Sequence, residues 1–408
     1  MPGPGFSAFG EQERANVLAV LDRWARRRDA FGDPGEAETV RDFERATAGK
    51  FGADHCLALN SGTSALIAAL AGLGIGPGDE VIVPGYMFVA TIAAVVHSGA
   101  DPVLAEVDES LTLDPVDVRA RITPRTRAIL PVHMLGAPAD LAALTAIAEE
   151  HGLALVEDCA QAAGGSYRGR RLGTIGAVGA FSLNHFKVIT ALDGGFLLTG
   201  DPKLFQRAYS FHDQGWFPYR EDVGDGDLLV GMNLRLSELN AAVGLAQVAK
   251  LDAILARLRA RKRALVEEVG DLPGVRRRPL HDADGECATL AVYLFDDARH
   301  AEATAGLLGA TTLLDSPKHY YGGLPELAAF GRGERGPVPF RAPINPATEV
   351  DFGPGALPRT DDVLGRSVAL AVGVSDDYLG AGFGLTARGD GAEVVEVAAR
   401  FREAVLAG

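Results

Sequence analysis

The sequence predicts an α/β protein: a large domain with a mostly parallel sheet sandwiched by helices, followed by a smaller C-terminal α/β domain. Three observations support this. Between His55 and Asp158 short β-rich runs alternate with helical stretches, the spacing of βαβ units in a sheet buried on both faces. A long amphipathic stretch near 236–269 then separates this region from a second, shorter strand, helix and strand pattern. With 408 residues, 47% of them apolar and 23% charged, the chain exceeds one ordinary domain and can bury more than one core.

Residues 11–50 read as two helices, carrying Val17, Leu18 and Leu21 and then Val40, Phe43 and Ala46, joined by the turn Gly32-Asp33-Pro34-Gly35. Strands are expected at 55–59, 80–84, 102–107, 127–132 and 153–157, with helices near 63–73, 88–98, 115–121 and 139–151 between them. Apolar runs at 178–183 and 195–199 extend the sheet. In the long helix Leu251, Ile254, Leu255 and Leu258 fall on one face, and Arg257, Arg259, Arg261 and Arg263 read as a solvated face. A strand at 288–295, a helix at 297–308 and a strand at 367–373 form the small unit. Residues 310–360, rich in Gly and Pro, read as a binding loop. The expected division is 1–250 for the N-terminal helices and large domain and 251–408 for the small domain.

The formal charge of −15 disfavours nucleic acid, while a small anionic substrate stays open if a few donors converge on it. Cys56, Cys159 and Cys287 are far apart, with no C-x-x-C pair, so neither a disulfide scaffold nor a zinc knuckle is signalled and a reducing cytoplasm fits best. The N-terminus lacks the basic and apolar regions of a signal peptide. The longest apolar run, Val81 to Val96, is interrupted by Pro84-Gly85, too short and too punctuated for a membrane span.

Three sites carry chemistry. Asn60-Ser61-Gly62-Thr63-Ser64-Ala65 lies where a strand gives way to a helix, so free N–H groups and a helix dipole converge there; an ordinary N-cap would look the same. Asp158 closes a strand, where open α/β sheets bind ligands, although a capping carboxylate is the plain alternative. Lys187 follows a further strand and precedes the turn Asp193-Gly194-Gly195; it is either a surface loop lysine or a desolvated amine able to form a Schiff base. An anion cradle, a strand-end carboxylate and a loop lysine together match the phosphate, ring nitrogen and aldehyde of pyridoxal 5′-phosphate.

The chain also resembles the DegT/DnrJ/StrS sugar aminotransferases of fold type I over about residues 30–330. The pieces that carry the resemblance are Ser61-Gly-Thr-Ser-Ala65, Gly78-Asp-Glu-Val-Ile-Val-Pro84, Pro131-Val-His133, Glu157-Asp-Cys-Ala-Gln161, Phe181-Ser182 with Lys187 and Asp193-Gly-Gly195, and Gly231-Met-Asn-Leu-Arg235 before Ala241-Ala242. The resemblance implies that Lys187 is the Schiff-base lysine, Asp158 pairs with the pyridine nitrogen and Gln161 meets the ring hydroxyl. It implies that Gly62, Thr63 and Ser182 hold the phosphate, that Phe88 stacks on the ring, and that Asn233 reaches a neighbour's phosphate across a homodimer interface. Arg235 serves the fold, the phosphate or a substrate carboxylate. His319 and Tyr320, in a short match to the family's substrate loop, are substrate candidates; His133 and the stretch His212 to Gly215 are further lining candidates.

Two departures stand near the reacting carbon. Asn184-His185-Phe186 replaces a Pro- or Gly-containing segment, and Ala191-Leu192 replaces small polar residues. His185 is a second acid/base group or a packing residue. The implied activity is transfer of an amino group from L-glutamate or L-glutamine to a keto-sugar, first of all a nucleotide-linked one, or to a related cyclic ketone. Lys318 and Arg341 are candidates to meet a diphosphate. The rivals are a dehydratase, epimerase or non-sugar transaminase on the same fold, and a catalytically silent cofactor-binding regulator. Retained Lys187 argues against the dehydratase branch, and no metal ligand set is signalled. Gly72-Leu-Gly-Ile-Gly-Pro-Gly78 follows a helix, the wrong context for a dinucleotide fingerprint.

Overall fold

The computed structural model describes residues 3–26, 38–215, 228–331 and 351–408. Its elements run α1 (Pro4–Ser7), α2 (Glu11–Arg26), α3 (Glu38–Phe51), β1 (His55–Leu59), α4 (Gly62–Leu73), β2 (Glu80–Pro84), α5 (Val89–Ser98) and β3 (Asp101–Ala105). Then follow α6 (Pro115–Arg121), β4 (Thr126–Ile129), α7 (Leu141–His151), β5 (Ala154–Asp158), a small hairpin of β6 (Ser166–Tyr167) and β7 (Arg170–Arg171), β8 (Val178–Ser182), β9 (Gly195–Thr199) and α8 (Pro202–His212). After α9 (Glu238–Val269) come β10 (Val275–Arg277), β11 (Leu290–Phe295), α10 (Ala298–Leu307), α11 (Pro325–Gly331), α12 (Pro358–Gly365), β12 (Ser367–Ala371) and α13 (Gly391–Ala407). The expected turn at Gly32 to Gly35 lies outside the described residues.

The large sheet has the order β1-β9-β8-β5-β4-β2-β3, parallel from β8 to β3. Strand β9 runs antiparallel between β1 and β8. Its residues are all buried, and a fully buried run carries no alternation that would reveal direction. The expected strand 127–132 stops as a ladder at Ile129, but Val132 still bridges Asp158. Parallel β2, β5 and β8 all end at the same sheet edge, which brings Pro84, Asp158 and Ser182 together there.

Separate apolar clusters cover the faces of the large sheet, one around Leu57, Leu70 and Val83 and one around Phe43, Phe181 and Phe196. Phe181 stacks on Phe196 at 4.4 Å between ring centroids. A third cluster lies under the antiparallel small sheet β10-β11-β12. Helix α9 joins two of these cores: Leu251, Ile254 and Leu258 pack under the large sheet, and Leu265 and Val269 under the small one. Its length and hydropathy match a membrane span, yet this two-ended packing makes it a core helix.

Two expectations need correction. Arg259 donates to the Glu286 carbonyl at 2.8 Å and Arg261 pairs with Glu393 at 2.7 Å, so they tie the helix to the small domain, whereas Arg257 and Arg263 are exposed. The stretch 310–360 holds α11 and the start of α12 rather than loop alone, because Pro325 and Pro358 each open a helix from a position that needs no N–H donor.

The N-terminus is pinned to the lysine loop. Gly3 N–H donates to His185 O at 2.9 Å and Gly5 N–H to Lys187 O at 3.2 Å. A Cβ on Gly3 would lie 2.1 Å from Phe186 O, so only glycine allows this approach. Buried Glu13 then accepts from Gln247 at 2.7 Å and Lys250 at 2.6 Å, anchoring the segment to α9.

Candidate active site

A cavity of about 360 Å³ opens at the carboxyl edge of the large sheet. Ser61 caps α4, its Oγ accepting from Ser64 N at 3.0 Å. The first-turn amides of Gly62 and Thr63 have no acceptor inside the helix, and both residues line the cavity. A Cβ on Gly62 would stand 2.7 Å from Ser182 Cβ, so glycine lets the helix start close against the end of β8.

Asp158, 3% exposed, is held on both oxygens: Oδ2 accepts from Thr91 Oγ1 at 2.7 Å and Oδ1 from Ala160 N at 3.0 Å. Burial pushes its carboxyl above the usual carboxylate range, against the pull of these two donors and of Lys187 and His133. Gln161 Oε1 accepts from Leu135 N at 2.8 Å, which leaves its Nε2 as the donor for the cavity.

Lys187 sits with Nζ 5.9 Å from the Phe88 ring centroid. Burial lowers its amine below the ordinary lysine value, opposed by Asp158 and Asp376. His319 also packs against Phe88, ring centroids 5.3 Å apart. Its Nδ1 lies 3.2 Å from Tyr378 O and 3.1 Å from Ser316 Oγ, and burial first, then the charge of Lys187, pushes it down to about 3. His319 is therefore neutral at ordinary pH; with its hydrogen assigned to Nδ1 by the Tyr378 carbonyl, Nε2 remains an acceptor. His185 is exposed, packs on Phe186 and lines the cavity with Asn184.

The structure thus gathers Gly62, Thr63, Phe88, Asp158, Gln161, Ser182, His185, Lys187 and His319 around one space. Tyr320 is outside it, buried edge-on against Tyr321. Arg235 is exposed and pairs with Asp213, so its guanidinium is engaged away from the cavity. Asn233 is exposed and also outside this chain's own cavity.

Of the further lining candidates, His133 is sealed in the core, 3.1 Å from Glu157 Oε2, with Nδ1 accepting from Ala139 N. His133, Glu157 and Cys159 cluster, but Glu157 also accepts from the N–H groups of Gly173, Ile175 and Gly176, so its lone pairs are spent on the fold. Burial alone would raise the Glu157 carboxyl; His133 and the Gly176 and Gly173 amides outweigh it and lower it. His212 is buried against Tyr209 and does not line the cavity. Two contributors carried no sequence signal: Thr91, on the next helix, and Asp376, 189 residues beyond Lys187.

Comparison with solved structures defines the class. DesV from Streptomyces venezuelae aligns over 99% of this chain and 98% of its own, with a TM-score of 0.76 and 32% identity, which makes this a pyridoxal-phosphate fold type I aminotransferase architecture. The chain belongs to the DegT/DnrJ/EryC1/StrS aminotransferase family, whose profile it matches over residues 24–320. It is 40% identical over 329 residues to an L-glutamine:2-deoxy-scyllo-inosose aminotransferase from Micromonospora echinospora, covering 76% of this chain and 77% of that one. It is 38% identical over 341 residues to a dTDP-3-amino-3,4,6-trideoxy-alpha-D-glucose transaminase from Streptomyces venezuelae, covering 82% of each. It is accordingly an aminotransferase, with relatives named for 2-deoxy-scyllo-inosose and for a dTDP-linked amino sugar.

Proposed function

We propose that the chain moves an amino group from L-glutamine or L-glutamate to a polyhydroxylated cyclic ketone, a free keto-sugar or keto-cyclitol ahead of a nucleotide-linked one. The residues present fit pyridoxal 5′-phosphate: unused amides at Gly62 and Thr63 beside Ser182 suit a phosphate, buried Asp158 suits a protonated ring nitrogen, and Phe88 offers a ring face. When bound, that group supplies an electron sink for negative charge at the amine-bearing carbon.

The protein's part is to position and to move protons. Asp158, with one donor on each oxygen, keeps its charge aimed at one place and holds a proton opposite it. Lys187, with a lowered amine, takes a proton at Nζ and returns it, and both halves of an amine exchange need that same transfer. Phe88 and neutral His319 wall the space without adding charge.

The acceptor class rests on the polar lining around Lys187. Asn184, His185, Asp193 and Asp376 offer hydrogen-bonding groups suited to hydroxyls, and no arginine is among the described lining residues. The nucleotide-linked reading is favoured by Lys318, whose Nζ lies 4.2 Å over the Tyr378 ring at the same cavity. Arg341 lies outside the described residues. The test is to charge the holoenzyme with L-glutamine, then add a keto-cyclitol, a free keto-sugar, a nucleotide-linked keto-sugar or a simple α-keto acid and follow the return of the yellow form. The cyclitol or free sugar should act fastest; discharge by α-keto acids alone would make it an amino acid transaminase.

A homodimer with shared sites belongs to the same proposal. Leu228, Val230 and Met232 expose apolar side chains, Val230 to 95%, on the segment that leads to Asn233. Mixing Lys187→Ala with Asn233→Ala chains should restore activity, since each heterodimer regains one intact site. Verified subunit exchange without recovery would count against it.

A further inference from the structure

A second cavity, about 690 Å³ in volume, lies between the C-terminal half of α9 and the β10–β11 edge of the small sheet, and it shares no lining residue with the first. That volume is in the range of small-molecule sites. Six cations and three carboxylates line it, a concentration of positive charge that a chain of net −15 does not produce by composition alone. Four of the cations are committed to the fold: Lys262 binds Glu286 at 2.6 Å, Arg259 donates to carbonyls of residues 285 and 286, Arg276 pairs with Glu109, and Arg278 donates to Ser110 O and Met134 O.

Arg263 and Arg277 are different. Both are exposed, and among the described residues neither has a carboxylate partner. Arg277 stands opposite Tyr293 in the β10–β11 register, so the two side chains share a face. Tyr293 is 3% exposed, lines the cavity, and its buried hydroxyl has no hydrogen-bond partner among the described residues. A buried, unpaired hydroxyl is a net cost to the fold that a ligand acceptor would remove. Val266 and Ala291 supply an apolar wall beside it.

We propose that this cavity binds a small organic anion, with a phosphate or carboxylate held by Arg263 and Arg277, an apolar body along Val266 and Ala291, and an acceptor atom meeting the Tyr293 hydroxyl. Guanidinium forks match both anionic groups, and the apolar wall selects against an inorganic ion. The site is independent of the amine-transfer reading, and none of its residues belongs to the first cavity.

The test is calorimetric titration of the holoenzyme, whose own phosphate cradle is filled, with phenyl phosphate, phenylacetate and inorganic phosphate as probes. One of the two aromatic anions should bind saturably at one site per chain, and which one does so separates a phosphate ester from a carboxylate; inorganic phosphate should bind at least roughly tenfold more weakly. Arg263→Ala/Arg277→Ala, a change at exposed positions, should cost about tenfold or more in affinity and leave transamination unchanged. Tyr293→Phe should weaken binding while the ligand-free Tm stays level or rises, because among the described residues the hydroxyl has no hydrogen bond to lose. Absence of saturable binding by either aromatic probe, or affinity unchanged in the double variant, overturns the proposal. A lowered Tm with unchanged affinity in Tyr293→Phe removes the tyrosine from it.

Discussion

Lys187→Ala should lower the turnover of amine transfer by roughly 10³-fold or more, the scale of a lost proton-transferring group, while the protein stays folded. Among the described residues the Lys187 side chain makes no hydrogen bond, and burial already disfavours its charge, so its removal breaks nothing that holds the loop. The loop is held by its backbone instead: His185 and Lys187 carbonyls receive Gly3 and Gly5, and Thr190 Oγ1 donates to Leu183 O at 2.9 Å. Cofactor should still bind through Gly62, Thr63 and Ser182. Single-turnover measurements with L-glutamine, with and without an added small amine, would check this. Turnover within tenfold of the parent would mean that another group moves the proton.

Asp158→Asn should cost about 10²-fold in turnover, the order expected when a fixed charge is removed from a water-excluded site. The amide is nearly isosteric: its oxygen can still accept from Ala160 N, and its nitrogen can donate to Thr91 Oγ1 once that hydroxyl turns its proton away. Stability should move the other way. Because burial raises the Asp158 carboxyl above its unfolded value, the ionised form costs folding free energy at pH above the ordinary carboxylate range. The ligand-free variant should therefore match or exceed the parent in Tm at neutral pH. That difference should vanish as the pH falls below an unfolded carboxylate's pKa of about 4. Near-parental turnover would contradict the role given to Asp158, and a large fall in Tm would show that its charge serves the fold.

Much of this was legible because local rules and global packing agree. Ser61 before Gly62, and Asp114 before Pro115, are helix starts in sequence and in structure, each capping with its side chain. Strands β1, β2, β5 and β8 fall within a residue or so of expectation because each is a short apolar run bounded by turn residues. The cavity residues at the starts of helices and ends of strands came with that reading, since topology alone sends them to one edge.

What stayed hidden depends on distance along the chain. Thr91 reaches Asp158 across 67 residues, and a threonine in a first helical turn signals only a helix start. Asp376 and Tyr378 approach the cavity from beyond the small sheet. His133 looked like a lining residue because its motif did, but the chain turns at Leu135, with φ of 59°, and the imidazole faces the core. The engagement of Arg259 and Arg261 depends on the 285–286 and 393 segments folding back onto α9, which no periodicity within the helix reveals.

The most direct test of the account is to reduce the yellow holoenzyme with borohydride and map the peptide that retains the cofactor. A single label is expected on Lys187, the lysine whose amine lies beside Asp158 and the Phe88 ring. A label on Lys318, which lines the same cavity, or on any lysine outside it would contradict the assignment and, with it, the mechanism built on this site.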